Sequence, residues 1–559
     1  MAGFVQLPCD EAVIRLGASL DALIRRSNFD KARMRTQFPR RPKTYLSILA
    51  AITCAFTLPE TLASESRHVV VVVWDGMRPD FVSEQNTPTL WKLAKEGVTF
   101  RNHHSVYPSA TNVNGTAINT GVYPGGSGIL ANHVYRPELD AKKPIDVEAS
   151  AVVEKGDIWS AGKYVAAPTI AEIVQDAGGT TVIATAKTVG LLLDRHVDPA
   201  RGKNSITLFA GASLPPGAIG LLAKTLGAFP PAAKAGDRDA WTTKALTDFL
   251  WHDQLPTFSL LWLSEPDDTE HKTAPGAPPA LMAMKSSDEN LGRVLADLDR
   301  RHLGKTTDVF VVSDHGFSTI EHMVKLPKAL TQAGFNVTTE FSGEPKSGDI
   351  MMVGNGGTVL FYVMQQDARI TQRLVDFLQQ SDFAGVVFTK KRMDGTFTLR
   401  YGQIENETAP DVVMAFRWSD SKNPFGVAGM IDADWQRAAG KGTHATLSRF
   451  DMHNTLIAAG PDFRRGEMDD LPSGNVDLAP TILKILGIGP PSPMDGRVLS
   501  EAMNKTDRQP LQAETETIEA TNNFPLGTWR QYLKTSRLGS TIYLDEGNGN
   551  YTASKTEND

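Results

Sequence analysis

HVVVVVWDGMRPDFV, residues 68–82, carries the clearest signal of the chain's architecture. From His68 to Trp74 it is apolar and β-branched, with no alternation of apolar and polar positions. A strand with one face in water would alternate. A run without alternation is a strand covered on both faces, the usual condition of a parallel sheet. It ends in Asp75-Gly76, so a carboxylate stands at its carboxyl end. Working outward, TPTLWKLAKEGVTF (87–100) reads as a helix followed by a second strand. TTVIATA (180–186), FSLLWLS (258–264) and DVFVVSD (308–314) read as further buried strands. Helical patterns such as SSDENLGRVLADLDRRHL (286–303) separate them. The expected class is α/β: an α/β/α sandwich with a central, mostly parallel sheet. Each strand of the set ends in, or just before, a polar residue, where open α/β sheets bind ligands.

The rest of the chain divides by character. In 318–440, GTVLFYVM (357–364), ITQRLVDFLQQSDF (370–383) and AGVVFTKK (384–391) predict an inserted α+β cap. The catalytic core is then expected in 67–317 and 441–502. Residues 130–240 are rich in Ala, Gly and Pro and are expected to border the site mouth. A polar segment and a C-terminal hairpin are expected in 503–559, the hairpin within 527–551. Residues 1–66 are expected to hold an N-terminal extension and a signal peptide. RRPKTYLSILAAITCAFTLPETLASES (40–66) has a basic front, an apolar stretch from Tyr45 to Leu58 and a Thr61-Leu62-Ala63 exit. That is the order of a secretory signal, and its apolar part is shorter than a membrane span needs. A buried helix is the alternative. The expectation is an exported protein, periplasmic or secreted, with no membrane span in the mature chain. Met1 and Met34 are alternative starts, and the mature N-terminus is expected near Ser64.

Composition narrows the class. The chain has 559 residues, 41% of them hydrophobic and 22% charged, with a formal net charge of -7. These are ordinary globular values, and they leave no basic surface for a nucleic-acid polymer. The two cysteines, Cys9 and Cys54, precede the globular part, so no disulfide and no thiolate metal ligand is expected there.

The chemistry is read from VYPSATNVNGTAINTGVYPGGSGI, residues 106–129. Thr111 sits among small, uncharged neighbours. One reading is a capped helix start; the other is a nucleophile at a helix N-terminus, where N–H groups and the dipole attract an anion. Other polar residues fall at strand ends: Asp75; Asp267 and His271 in SEPDDTEH (264–271); Asp314 and His315 in SDHG (313–316); and His444 in GKGTHATL (440–447). Singly, these read as a turn, a chance spacing and a loop histidine. Jointly, mixed Asp and His ligands suit two divalent metal ions, Zn²⁺ first, with Mn²⁺ or Fe as alternatives.

VVVVVWDGMRPD, YPSATNVNGTAINTGVYPGGSGI, EPDDTEH, SDHGF, GTHAT and VDLAPTILKILGI, in this order, resemble the alkaline phosphatase superfamily, and within it the type I phosphodiesterase/nucleotide pyrophosphatase branch. The resemblance implies that Thr111 is the nucleophile and also touches the metals. It implies one metal held by Asp75, Asp314 and His315 and another by Asp267, His271 and His444, with Asn114 donating to a phosphoryl oxygen. It implies a covalent phospho-threonine that water then hydrolyses. Two features differ from the branch. Asn112 stands where nucleotide pyrophosphatases carry an aromatic residue. TNVN (111–114) and IATAKTVG (183–190) resemble phosphonoacetate hydrolases, which implies that Lys187 binds an anionic group of the substrate; Val189 replaces a second lysine of that pattern. The function expected is hydrolysis of a small phosphorylated substrate. The alternatives are a phosphomonoesterase, a hydrolase of C–P bonds, and a non-catalytic phosphate-ligand binding protein. The sequence assigns no oligomeric state.

Overall fold

The computed structural model describes residues 66–195, 205–252, 254–505 and 511–554. The expected signal peptide, the alternative start at Met34 and the mature N-terminus near Ser64 lie outside these residues.

That apolar run forms β1 (His68–Trp74), inside a nine-stranded sheet. The other strands are β2 (Val98–Phe100), β3 (Thr181–Thr185), β4 (Ile206–Phe209), β5 (Ala212–Leu214), β6 (Phe258–Leu263), β7 (Thr307–Val312), β8 (Leu456–Ala459) and β9 (Glu467–Asp469). Their order is β9-β2-β8-β7-β1-β6-β3-β4-β5. β1 pairs in parallel with both β7 and β6, β6 with β3, and β3 with β4. Antiparallel pairing enters only away from this centre, at β8 and β5.

The lack of alternation in β1 follows from two covered faces. Val69, Val71 and Val73 pack with Ile118, Leu260 and Ile482 on one side. Val70, Val72 and Trp74 pack with Leu90, Leu261 and Leu291 on the other. Helices Thr111–Thr120 and Leu478–Leu486 form part of the first layer, and Pro88–Glu96 and Pro278–Arg300 part of the second. The architecture is therefore an α/β/α sandwich. Each fully buried valine contributes about 1.5–3 kcal/mol before chain entropy is counted, so β1 anchors both layers at once.

Between β7 and β8 the chain builds two further sheets. One is six-stranded, with its central strands at Ile350–Gly354, Thr358–Val363, Val412–Phe416 and Ala384–Thr389. Helix Ala368–Gln379 covers it through Leu374, Val375 and Leu378, which meet Met352, Phe361 and Val387. Asp367 starts that helix by accepting the N–H groups of Arg369 and Ile370. The other is four-stranded, from Ser318–Met323, Trp418–Lys422, Ala428–Ala433 and Gly442–Thr443.

The C-terminal segment holds the two strands of the expected hairpin, Gly527–Leu538 and Thr541–Ala553, and adds a third, Glu514–Phe524. That strand, ETETIEATNNF, has few apolar side chains and is stabilised by pairing with its neighbour. Leu533 and Leu544 pack with Val386 and Phe388 of the six-stranded sheet. Gln531 completes the junction: its Oε1 accepts the N–H of Val387 at 2.7 Å, and its Nε2 donates to the carbonyl of Val387 at 3.1 Å. Gln531→Ala leaves both backbone groups buried without partners, so it is expected to lower stability by about 2–3 kcal/mol. Urea denaturation of the two proteins measures this, and an unchanged midpoint would contradict the assignment.

Candidate active site

Asp75 follows β1, Lys187 lies just past β3, Asp267 past β6 and Asp314 past β7. These strands are neighbours, in the order β7-β1-β6-β3. Because they are parallel, their carboxyl ends open on one edge of the sheet. His444 arrives from outside the sheet, after the short strand Gly442–Thr443, which pairs with Ser318 and Thr319. A Cβ at Gly442 would lie 2.5 Å from the carbonyl oxygen of Glu270. Only glycine lets this strand approach so closely.

Two sets of ligand atoms result. Asp267, His271 and His444 each present an atom within 4.8 Å of the other two, and so do Asp75, Asp314 and His315. The rings of His315 and His444 stack with centroids 3.7 Å apart, which places the sets side by side. Thr111 Oγ1 is 3.3 Å from His315 Nε2.

The three imidazoles are oriented alike. Nδ1 of His271, His315 and His444 lies 3.0, 2.9 and 2.8 Å from the carbonyls of Gly442, Gly316 and Ser109. A carbonyl only accepts, so Nδ1 donates and Nε2 is left as the ligand atom. Burial, and then the neighbouring His315 and His271, push His444 well below the usual histidine range, so it is neutral. Each Nε2 faces carboxylate oxygen. His271 and His444 lie 3.2 and 3.5 Å from Asp267 Oδ1. His315 lies 3.2 Å from Asp314 Oδ2 and 3.6 Å from Asp75 Oδ1. Those same oxygens, Asp75 Oδ1, Asp267 Oδ1 and Asp314 Oδ2, are buried without a hydrogen-bond partner. Acceptors facing acceptors across a few ångströms, with carboxylates in both sets, fit a divalent cation in each.

The opposite carboxylate oxygens are held. Asp75 Oδ2 takes the indole N–H of Trp262 at 2.9 Å and the ammonium of Lys187 at 2.8 Å. Asp267 Oδ2 takes Lys187 at 2.6 Å, and Asp314 Oδ1 takes the N–H of Gly76 at 3.0 Å. Burial, and then the charge of Asp314, push Asp75 well above the usual carboxylate range. Burial also acts to raise Asp267, but the charge of Lys187 leads the opposing effects, and the group is held well below the usual range. Lys187 is thus built into the carboxylate cluster and bridges both sets, while also lining the cleft.

Thr111 is the first residue of helix Thr111–Thr120, and the residue before it, Ala110, supplies no side-chain cap. Thr111 therefore does not serve as the cap; the N–H of Asn112 is taken from outside the helix by Asn132 Oδ1, and the rest of the helix start still favours an anion. Asn114 is a correction. It is fully buried, and its Nδ2 donates to the carbonyls of Val106 and Ala110 at 3.1 Å each. Its Oδ1 accepts from the N–H of Val106 and from Asn475. Both ends of the amide hold the loop before Thr111 in shape, and neither is left for a phosphoryl oxygen.

The residue that faces the cleft instead is Asn132. Its Oδ1 accepts the N–H of Asn112 at 3.0 Å. The next residue, His133, is clamped through its N–H and carbonyl by the side chain of Asn355, at 2.9 and 3.0 Å. Nothing in the periodicity around Asn132 marks it; its place depends on the distant Asn355. The cleft has a volume of about 330 Å³. Its remaining walls include Glu148, Arg238, Gln436 and Arg437, and no phenylalanine, tyrosine or tryptophan lines it among the described residues. Burial, and then Asp146, raise Glu148 to about 7, with Lys187 and Arg238 opposing.

Residues 69–419 match the family model "Type I phosphodiesterase / nucleotide pyrophosphatase". A venom phosphodiesterase of Crotalus durissus collilineatus is 24% identical over 263 residues, which are 46% of this chain and 27% of that protein. Human ectonucleotide pyrophosphatase/phosphodiesterase family member 1 is 24% identical over 253 residues, 43% of this chain and 22% of that protein. The chain thus spans about a quarter of the length of these curated relatives. Among solved structures, an inactive variant of murine ectonucleotide pyrophosphatase/phosphodiesterase 5 in complex with AMP superposes with a TM-score of 0.56 at 18% identity. It covers 78% of this chain and 100% of its own.

Two outcomes follow from the geometry. Zinc analysis after reconstitution and desalting is expected to find two equivalents per chain, and His444→Ala about one; two equivalents in the variant would place His444 outside the ligand set. Asn114→Ala is expected to cost about 2–4 kcal/mol of stability, the scale of a lost buried network. Chemical denaturation measures it, and unimpaired stability would return Asn114 to the cleft.

Proposed function

The chain belongs to the type I phosphodiesterase/nucleotide pyrophosphatase family, and from that premise we propose that it is an exported hydrolase of phosphoric esters acting through Thr111. The observation that carries this reading is the hydroxyl of Thr111 at a helix start, beside two sets of ligands whose buried carboxylate oxygens lack partners.

Asp75, Asp314 and His315 would hold one divalent cation, and Asp267, His271 and His444 the other, with Thr111 adjoining. Zinc suits the mixed imidazole and carboxylate donors, with manganese or iron as the alternatives. Bound there, the cations supply Lewis acidity that makes the threonine hydroxyl nucleophilic and stabilises the departing oxygen. Thr111 Oγ1 attacks phosphorus, a P–O bond forms to the threonine, and the ester P–O bond breaks to release an alcohol. Water then attacks the phospho-threonine and restores the hydroxyl. The N–H groups at the start of helix Thr111–Thr120 and the amide of Asn132 donate to the phosphoryl oxygens, whose charge increases toward the transition state. Lys187 offsets the negative charge of Asp75 and Asp267 and so keeps the cleft open to an anion.

Export is supported by the signal-like order of residues 40–66 and by the relatives, which are named as venom enzymes and ectonucleotide enzymes. Among the described residues no helix is long and apolar enough to cross a membrane.

Thr111→Ala is expected to lower kcat on bis(p-nitrophenyl) phosphate by at least about 10³-fold, the scale of a lost nucleophile, while metal content and melting temperature stay near wild type. Comparison of that diester with p-nitrophenyl phosphate, a nucleotide and phosphonoacetate on the wild-type chain ranks the ester classes. Turnover of Thr111→Ala close to wild type would end the covalent mechanism.

A further inference from the structure

The reaction above leaves two guanidinium groups in the cleft without a task. Arg238 lies on helix Ala235–Lys244 and Arg437 on the loop after the strand Ala428–Ala433; both line the cavity that holds Thr111. Neither forms an ion pair among the described residues. Arg238 Nε is buried without a hydrogen bond, and the guanidinium rests over the ring of Phe229 at 4.9 Å.

Both are nevertheless fixed by neighbours in sequence. Asp239 accepts the N–H groups of Ser264 and Glu265 at 2.7 and 3.0 Å. That ties the helix of Arg238 to the turn that carries Asp267. Asp434 accepts the N–H groups of Gly356 and Gln436 at 2.7 and 3.0 Å. That ties the loop of Arg437 to the turn bearing Asn355. Partly buried guanidiniums, held by the backbone around them and left unpaired by the protein's own carboxylates, are arranged for an anion from outside. The acids of the same cavity do not cancel them. Asp268 lies 3.9 Å from Lys187, and burial keeps Glu148 only partly charged near neutrality.

We propose that Arg238 and Arg437 bind a second acidic group of the substrate, a carboxylate or a further phosphoryl group, apart from the phosphorus that Thr111 attacks. The substrate is then a small phosphoric ester carrying an additional anion, recognised by charge. Among the described residues, a nucleobase finds no phenylalanine, tyrosine or tryptophan to stack on in this cleft. The proposal rests on the reading of Thr111 and its neighbours as a phosphoryl site.

The test uses the zinc-loaded full chain and two probes of matched size, 2-carboxyethylphosphonate and propylphosphonate. Each is measured as a competitive inhibitor of bis(p-nitrophenyl) phosphate hydrolysis and by calorimetric binding. The carboxylated probe is expected to bind at least about tenfold more tightly, the scale of a charge-assisted hydrogen bond. Arg238→Gln and Arg437→Gln are each expected to remove most of that preference, and Arg437→Lys to keep much of it. The readout is the ratio of the two constants within each variant, so a general loss of stability or turnover cancels. Equal affinities in the wild type, or an unchanged ratio in both glutamine variants, overturns the proposal. A wild-type chain that fails to hydrolyse the diester strikes the Thr111 reading instead, and the calorimetric ratio still decides the anion site.

Discussion

Asp75, Asp267 and Asp314 are buried together at the ends of three adjacent parallel strands, and the surrounding structure is shaped by the cost of keeping them there. Taking a single carboxylate out of water costs several kcal/mol unless it is paired, and like charges at close range add to it. The protein meets this cost group by group. The ammonium of Lys187 lies between Asp75 and Asp267, the indole of Trp262 donates to Asp75, and the N–H of Gly76 donates to Asp314. Trp262 can lie beneath the site because helix Thr111–Thr120 has no side chain at Gly115; a Cβ there would be 3.0 Å from the indole ring. At Gly115 the small residue near Thr111 is therefore explained by the tryptophan packed against it. What remains uncompensated is one oxygen on each aspartate, buried without a hydrogen-bond partner and facing the imidazoles.

How much of this was legible in the sequence depended on whether a residue's position is set locally. β1 could be read because burial on both faces removes alternation, and Asp75, Asp267 and Asp314 because each stands just past the end of a buried strand. Asn114 was misread for the opposite reason. An asparagine one turn into a helix that begins with a nucleophile looks available, and only the folded loop shows its amide turned back on Val106 and Ala110. Asn132, Arg238 and Arg437 carried no local signal, because distant anchors at Asn355, at the 264–265 turn and at Gly356 bring them to the cleft. The strand Glu514–Phe524 escaped notice because its side chains are mostly exposed, so no apolar pattern is required of it.

These anchors separate chemistry from selection. The groups proposed to break the ester bond stand on the sheet ends, whose geometry is fixed by the sandwich core. The groups that line the rest of the cleft come from helix Ala235–Lys244, from the turn at Asn355 and from the loop at Arg437. On the proposed reading, a substitution in the second set would alter what enters the cleft, and one in the first set would alter the reaction itself.

The C-terminal sheet bears on the cleft although it supplies none of its walls among the described residues. It grips the six-stranded sheet through Gln531 and through the indole of Trp529, which donates to the carbonyl of Gly395. It also reaches the core, where Asp545 lies 3.1 Å from His104. The other carboxylate oxygen of Asp545 accepts from the hydroxyl of Ser536 at 2.9 Å. His104 stands a few residues before Thr111, and the six-stranded sheet ends in the turn that clamps His133 beside Asn132. The sheet is therefore joined to both sides of the cleft, to the loop that leads to Thr111 and to the insertion that forms the outer wall. A brace of this kind limits how far the two can separate, which matters because hydrogen bonds to a developing phosphoryl charge depend on donors already in place. The C-terminal sheet thus bears on the site through these contacts, at Gln531, Trp529 and Asp545.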